Sequence, residues 1–183
     1  PGPAPYNYKL VEEGGVDKFA ELGLEDWPEL AVSKYEVYVQ NVKKPVAVAH
    51  LVKSGEKPPV LLDWESLTSE LLTSVDSKSS ELVTLVTAIK KYAPKDAVIL
   101  SWWDISRQIG LLTGRDTLFP SNHGEPVIIP SHWRERSDAI RNYEEEFWGA
   151  PAPAEERRKL QRFADALVAD VEKGSGILRE LAG

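Results

Sequence analysis

The residues with the most distinctive chemistry are two adjacent tryptophans followed by an aspartate: Trp102, Trp103 and Asp104. Successive side chains on an extended backbone point to opposite sides, so one indole is expected to enter the core while the other faces the surface. An indole offers a flat apolar face and one hydrogen-bond donor, which suits stacking on sugars, peptide side chains or cations. A carboxylate beside it can accept hydrogen bonds from a hydroxyl or an amide. The three residues therefore form a candidate binding surface.

Two arginines extend this candidate surface. Arg107 lies one helical turn after Asp104, and Arg115 follows the expected end of the helix at Gly114. With Asp104 they can line one end of the sheet and hold a polar ligand. A purely structural interpretation also stays open, in which Asp104 is a helix N-cap, both indoles pack in the core and the arginines are solvated.

Catalytic, cofactor and metal patterns are weak in this chain. The absence of cysteine excludes thiol catalysis, disulfides, zinc-thiolate sites and covalent c-type haem attachment by these residues. His123, Glu125 and His132 lie within ten positions of one another, but they lack His-Glu-x-x-His spacing. The nucleophile elbow, the phosphate loop and the dinucleotide fingerprint are missing as well. We therefore expect no catalytic residue, no metal and no cofactor.

Composition points to a soluble globular protein of 183 residues, with 42% hydrophobic and 28% charged residues. The net charge of −7 argues against nucleic acid as the main partner, because phosphate binding needs a basic surface. No apolar run reaches the roughly 18 residues that a membrane helix needs. The glutamate runs Glu144–Glu146 and Glu155–Glu156 are interpreted as solvated helix faces.

The pattern along the chain predicts an α/β fold with a mixed, partly parallel sheet and helices on both faces. Residues 1–15 are predicted to be a mobile arm rich in Pro and Gly, in which alternation of Tyr6, Tyr8 and Leu10 also allows an edge strand. Residues 16–183 are predicted to form a single domain. Alternating β-formers at 35–40 and the run at 46–51 predict a hairpin.

The central element of this prediction is the apolar stretch Ala97–Ser101. Four apolar residues in a row, preceded by Pro94, are typical of a strand buried on both faces. The tryptophans would then lie at the carboxyl end of that strand, where open α/β sheets usually hold ligands. A helix from Asp104 to Gly114 should follow. Near the C-terminus, an apolar stripe that includes Phe163 and Val171 predicts one long helix from Pro151 to Gly174.

The stretch from Lys95 to Asn122 resembles the central part of oligosaccharyltransferase catalytic subunits. In that family a Trp-Trp-Asp-Tyr-Gly motif ends a strand and helps to recognise the hydroxyl residue of the acceptor sequon. Trp102, Trp103 and Asp104 match that motif, whereas Ile-Ser replaces its Tyr-Gly. The resemblance covers under a third of the chain and lacks the membrane domain that holds the metal and the catalytic acids. It implies at most a glycan- or peptide-recognition domain.

The stretch Trp102 to Arg115, with Trp-Trp-Asp-x-Ser-Arg-Gln-Ile followed by Leu-Leu-Thr-Gly-Arg, is more similar to the HaoB family, encoded beside hydroxylamine oxidoreductase in nitrifying bacteria. That resemblance implies an accessory protein of hydroxylamine oxidation, facing the periplasm, anchored to the membrane by a segment outside this chain, and bound to a multihaem oxidoreductase. We therefore expect a binding module and not an enzyme, acting through Trp102, Trp103, Asp104, Arg107 and Arg115. The alternative is a glycan- or peptide-recognition domain.

Overall fold

A computed structural model describes residues 4–68, 78–123 and 131–183. In this part of the chain there are four strands and five α-helices, with short 3₁₀ helices at Val16–Lys18, Ala20–Leu22 and Ser131–Arg136. The strands are β1 Tyr6–Gly15, β2 Ala31–Val39, β3 Ala47–Lys53 and β4 Val60–Ser66. The helices are α1 Ser79–Tyr92, α2 Trp103–Thr113, α3 Ser137–Trp148, α4 Ala154–Val168 and α5 Val171–Ala182.

The four strands form one antiparallel sheet in the order β1-β2-β3-β4. The hairpin predicted over residues 35–40 and 46–51 is confirmed as β2 and β3. The prediction of a partly parallel sheet is wrong, because the β2–β3 and β3–β4 connections are too short for the crossover that parallel neighbours need. Tyr6–Gly15 form the edge strand that the alternation of Tyr6, Tyr8 and Leu10 allowed, and this segment therefore belongs to the sheet.

The predicted central strand is a second correction. In the described part of the chain, Ala97–Ser101 contributes one isolated parallel bridge, between Ile99 and Thr117, and lies outside the sheet. Val98 and Leu100 are each 37% exposed, whereas a strand buried on both faces would hide them. A short apolar run cannot distinguish a central strand from an extended surface segment by periodicity alone. The tryptophans consequently do not lie at the end of a sheet strand.

The chain divides into two compact units, Pro1–Leu85 with Gly124–Gly149, and Val86–His123 with Ala150–Gly183. The first unit contains the sheet and α3. One face of the sheet is covered by an aromatic core in which Trp64 and Trp148 are almost completely buried. On the other face Phe19 contacts the ring of His50, and Asp63 accepts a hydrogen bond of 3.0 Å from the backbone N–H of Ser79 at the start of α1.

The second unit contains the C-terminal part of α1 from Val86, together with α2, α4 and α5. Its core includes Leu118, Phe119 and Phe163, against which Trp103 and Leu178 pack. Gly114 ends α2 with a φ of 66°, as the glycine stop in the sequence predicted. The single long C-terminal helix is wrong, because α4 ends at Val168 and α5 begins at Val171. Within the described ranges, none of the helices combines the length and the apolar character needed to cross a membrane.

Candidate functional site

Trp102 stands immediately before α2 with an extended backbone, at φ −66° and ψ 152°. Its side chain is 41% exposed, and its ring centroid lies 5.7 Å from that of Phe163 with the planes tilted by 43°. The backbone carbonyl of Trp102 accepts hydrogen bonds from the Ser106 hydroxyl at 3.1 Å and from the Ile105 N–H at 3.3 Å. The start of α2 therefore fixes the backbone from which this exposed indole projects.

Trp103 occupies a different environment. Its indole is partly buried and packs against the cluster formed by Leu118, Phe119 and Phe163. The two indoles therefore differ in exposure, but not for the predicted reason, because Trp103 already belongs to α2 and the alternation of an extended backbone does not apply to the pair. Both rings pack on the cluster that contains Phe163. Trp103 stabilises the unit, whereas Trp102 offers the ring that a ligand or partner can reach.

The role predicted for Asp104 needs a correction. Asp104 is not the N-cap of α2, because the helix begins at Trp103 and Trp102 occupies the capping position. The Asp104 carboxylate is exposed in the first turn, where the helix dipole favours a negative charge. It therefore remains accessible beside Trp102 for contacts with another molecule.

Arg115 is placed away from any open surface. It is 8% exposed, and its guanidinium donates to the carbonyl of Pro94 at 2.9 Å and to that of Ala93 at 2.7 Å. A longer bond of 3.3 Å reaches the carbonyl of Lys90. These acceptors lie at the C-terminal end of α1, where carbonyl groups lack partners within the helix and a positive charge is favoured. Arg115 therefore binds the end of α1, while Arg107 is half-buried on α2.

An exposed row of apolar side chains leads up to Trp102. Val98 and Leu100 are each 37% exposed, and with Trp102 they occupy alternate positions of an extended segment. Ile99, between them, donates its N–H to the carbonyl of Asp116 at 2.8 Å and is partly buried. We call Val98, Leu100 and Trp102 the apolar strip. The sequence contained this strip in its alternation, but its four-residue apolar run was interpreted as interior.

A surface depression of about 380 Å³ adjoins the apolar strip through Val98. Three charged side chains of α4 contribute to its lining, and the other lining residues are apolar except for Thr117. The lining residues are Val98, Thr117, Leu118, Pro120, Pro153, Glu155, Glu156, Lys159, Leu181 and Ala182. Such a mixture can receive an apolar side chain of a partner together with a charged group at its rim.

Glu156 is a buried carboxylate, which corrects the prediction that it lies on a solvated helix face. Its Oε1 accepts hydrogen bonds from the Ser121 N–H at 3.0 Å and from the His123 Nε2 at 2.9 Å, and its Oε2 accepts from the Ser121 hydroxyl at 2.6 Å. Burial acts to raise the pKa of Glu156, but the hydrogen bonds from Ser121 and His123 outweigh it and hold the pKa below its ordinary value. Glu156 thereby ties the segment before residue 124 to the first turn of α4.

Glu144, in the other unit, shows the opposite behaviour and also departs from the predicted solvated face. Its Oε1 accepts hydrogen bonds from the hydroxyls of Tyr6 and Tyr8, the latter at 2.9 Å, and Tyr143 accepts a bond of 2.8 Å from the Tyr8 N–H. Burial raises the pKa of Glu144 despite the two tyrosine hydroxyls that favour the carboxylate. The sequence pattern did not indicate that Glu144 is buried, because glutamate on a helix is usually solvated.

The histidines that suggested a metal are used otherwise. His123 binds Glu156, and the ring of His132 lies 5.5 Å from that of Trp133. Glu125 lies outside the described residues. Among the residues that the structure describes, no group of three or more His, Asp or Glu side chains is arranged to hold a metal ion.

Comparison with known families bears on the whole chain. A family model described as HaoA-associated protein HaoB matches residues 1–183. The chain belongs to the HaoB family. Comparison with curated proteins and with solved structures gave no match. Membership of the HaoB family confirms the resemblance drawn from Trp102–Arg115, and it links this chain by family description to hydroxylamine oxidation as an accessory protein.

Proposed function

We propose that this chain is an accessory protein that binds HaoA, the hydroxylamine oxidoreductase, through the apolar strip and the exposed indole of Trp102. The observation that carries the proposal is Trp102, a large aromatic side chain that is 41% exposed and supported from below by Phe163. The description of the HaoB family as HaoA-associated supports a protein partner. It identifies the partner but leaves the contact surface to be tested.

Physical chemistry favours Trp102 as the centre of such an interface. Tryptophan is enriched among the few side chains that carry most of the binding free energy in protein complexes. A ring that is already packed on Phe163 loses little conformational entropy when a partner covers its other face. Burying Val98 and Leu100 beside it removes further apolar surface from water. The exposed carboxylate of Asp104 supplies a polar group at the rim.

The charge of the chain suggests the character of the complementary surface. A net charge of −7 favours approach to a partner surface that carries basic groups, because opposite charges accelerate encounter. Salt should therefore slow association more than it speeds dissociation. The dependence of the association rate on salt reports the electrostatic attraction of the whole chain, whereas contacts made by the apolar strip affect mainly the dissociation rate.

The experiment is a calorimetric titration of HaoA with the chain, in parallel with Trp102→Ala. We expect binding with a Kd in the micromolar range and a loss of affinity of about tenfold or more in the variant, which corresponds to truncation of a central tryptophan. Tyr92→Ala is the matched control, because Tyr92 is an aromatic residue of α1 that is 75% exposed and lies outside the apolar strip. Absence of binding by the unmodified chain at roughly 100-fold higher concentrations would refute the proposed function.

We also propose that the chain works at the periplasmic face, held by an anchor outside residues 1–183. This location is what the resemblance to the HaoB family implies, namely an anchored protein that faces the periplasm. Fractionation of cells, followed by protease treatment of intact spheroplasts, tests it. Protection of the chain from added protease would contradict a periplasmic location.

The alternative, a glycan- or peptide-recognition domain, uses the same exposed ring, because an indole face also stacks on sugars. Titration of tryptophan fluorescence with small glycans and sequon peptides separates the two functions. The chain contains six tryptophans, so the signal of Trp102 is isolated by subtracting the response of Trp102→Phe. A flat difference signal, together with HaoA binding, eliminates the alternative.

A further inference from the structure

The helical hairpin of α4 and α5 interrupts an apolar stripe that is continuous in the sequence. This difference suggests a second conformation of the two helices. Apolar residues recur at helical spacing from α4 across the link into α5, as in one continuous helix, and the stripe consists of Leu160, Phe163, Ala164, Leu167, Val168 and Val171. In the structure this stripe is interrupted by the two residues Ala169 and Asp170. The interruption leaves Leu167 58% exposed, and Val168 and Val171 each 86% exposed.

The link consists of two residues with an extended backbone. Ala169 has φ −78° and ψ 168°, and Asp170 has φ −62° and ψ 162°. Both φ angles already lie in the helical range, so rotation about the two ψ angles alone converts the link into helix. The Asp170 side chain favours the hairpin, because its Oδ1 accepts the Lys173 N–H at 2.9 Å and caps α5.

The contacts between α4 and α5 do not require the two helices to belong to one chain. Gly174 packs so closely on α4 that a Cβ there would lie 2.6 Å from the carbonyl oxygen of Ala166. Arg162 and Glu180 form an ion pair across the same interface. If α5 leaves its own α4, an α4 of another copy offers an identical surface, and short hinges are the usual sites of such exchange.

We propose that α4 and α5 straighten into one helix through residues 168–171 and that two copies of the chain exchange their α5 helices to form a dimer. The exchange preserves the contacts of Gly174 and the Arg162–Glu180 ion pair between chains. It also restores the continuous apolar stripe and brings Leu167, Val168 and Val171 of the two copies within reach of one another. The occupant of this apolar surface is therefore a second copy of the same chain.

The test is the mass of the chain by size exclusion with light scattering, from about 10 μM to about 1 mM, after equilibration in mild denaturant that permits exchange. Val171→Pro is compatible with the first position of α5 but interrupts a continuous helix. We expect it to lower the dimer association constant at least about tenfold. Val171→Ala is the matched control, because it removes the exposed side chain but permits a continuous helix. Asp170→Ala removes the cap and is expected to raise the association constant about tenfold.

A cross-link distinguishes exchange from simple side-by-side association. The chain contains no cysteine, so Arg162→Cys with Glu180→Cys introduces two thiols only, one on each helix. A short bismaleimide then joins α4 to α5 within one chain in the hairpin and between chains in the exchanged dimer. Covalent dimer from the Asp170→Ala background and covalent monomer from Val171→Pro support the proposal. A dimer that cross-links only within chains, or Asp170→Ala that stays monomeric at the highest concentration, overturns it.

Discussion

The ring of Trp102 lies with its centroid 5.7 Å from that of Phe163, which projects from α4 and is itself 6% exposed. Phe163 also contacts the edge of Phe119 at 5.6 Å. The exposed indole therefore packs on one buried ring, which in turn packs on another. Its orientation depends on α4 even though Trp102 belongs to the segment before α2.

Phe163→Leu should weaken binding to HaoA although Phe163 is buried. The smaller side chain removes the support of the Trp102 ring, so we expect a loss of affinity of roughly threefold to tenfold, or about 0.6 to 1.4 kcal/mol. Calorimetry on the single and double variants measures the coupling. In the Trp102→Ala background, Phe163→Leu should have almost no further effect on binding. Additive effects would show that the two rings act independently.

Arg115 should be important for stability and unimportant for binding. Arg115→Lys keeps the charge but loses most of the hydrogen bonds to the carbonyls of Pro94, Ala93 and Lys90, so the free energy of unfolding should fall by about 2 to 3 kcal/mol. Urea unfolding followed by circular dichroism measures this. Arg141→Lys is the control, since the Arg141 side chain is 65% exposed in an ion pair with Asp138. Weakened HaoA binding by the still-folded Arg115→Lys protein would assign Arg115 to the interface after all.

Glu156 should make the chain sensitive to acid. Its pKa is held below the ordinary value of 4.5, so its contribution to stability is fully present above about pH 4.5 and is lost as the pH falls through the lowered pKa. Glu156→Gln should cost about 1 to 3 kcal/mol at neutral pH, because one amide group must face a hydrogen-bond donor. The difference from the unmodified chain should shrink as the pH falls through that lowered pKa. Urea unfolding at several pH values tests this, with the exposed Glu155→Gln as control.

Glu144 should have the opposite pH dependence. Its pKa is raised by burial, so the folded state retains the proton to a higher pH than the unfolded chain, and stability falls as the pH rises from about 4.5 through the raised pKa. In Glu144→Gln this decline should disappear, while the amide oxygen can still accept from Tyr6 and Tyr8. The test is the slope of the unfolding free energy against pH, measured by urea unfolding, because the new amide NH2 also faces the Trp148 N–H and adds a cost that does not depend on pH. Glu146→Gln, exposed on the same helix, should leave the decline unchanged.

Several elements of the fold could be predicted because their signals are local. The alternation in β2, the apolar run of β3 and the glycine stop at Gly114 each depend on residues close in sequence. The similarity of Trp102–Arg115 to the HaoB family was also local, and the match over residues 1–183 confirmed it.

The incorrect predictions concern residues whose environment is set by partners far away in the sequence. Ala97–Ser101 has the composition of a central strand, but among the residues that the structure describes the sheet consists of four antiparallel strands from an earlier part of the chain. Arg115 was expected at a surface, yet carbonyls at the end of α1, 21 to 25 positions earlier, bind it. Glu144 and Glu156 were expected in solvent, and their partners Tyr6 and Ser121 lie 138 and 35 positions away.

The sequence by itself determined the family, the hairpin of β2 and β3, the helix that ends at Gly114 and the presence of two adjacent indoles. Only the tertiary structure decided that the outward ring is Trp102, that Phe163 supports it, and that Arg115 is buried against the end of α1 and away from a binding surface. The physical reason is that periodicity and capping reflect neighbours within a few residues. Burial and hydrogen bonding between segments depend on which residues, distant in sequence, pack against a given side chain. Neighbouring residues in the sequence do not indicate those partners.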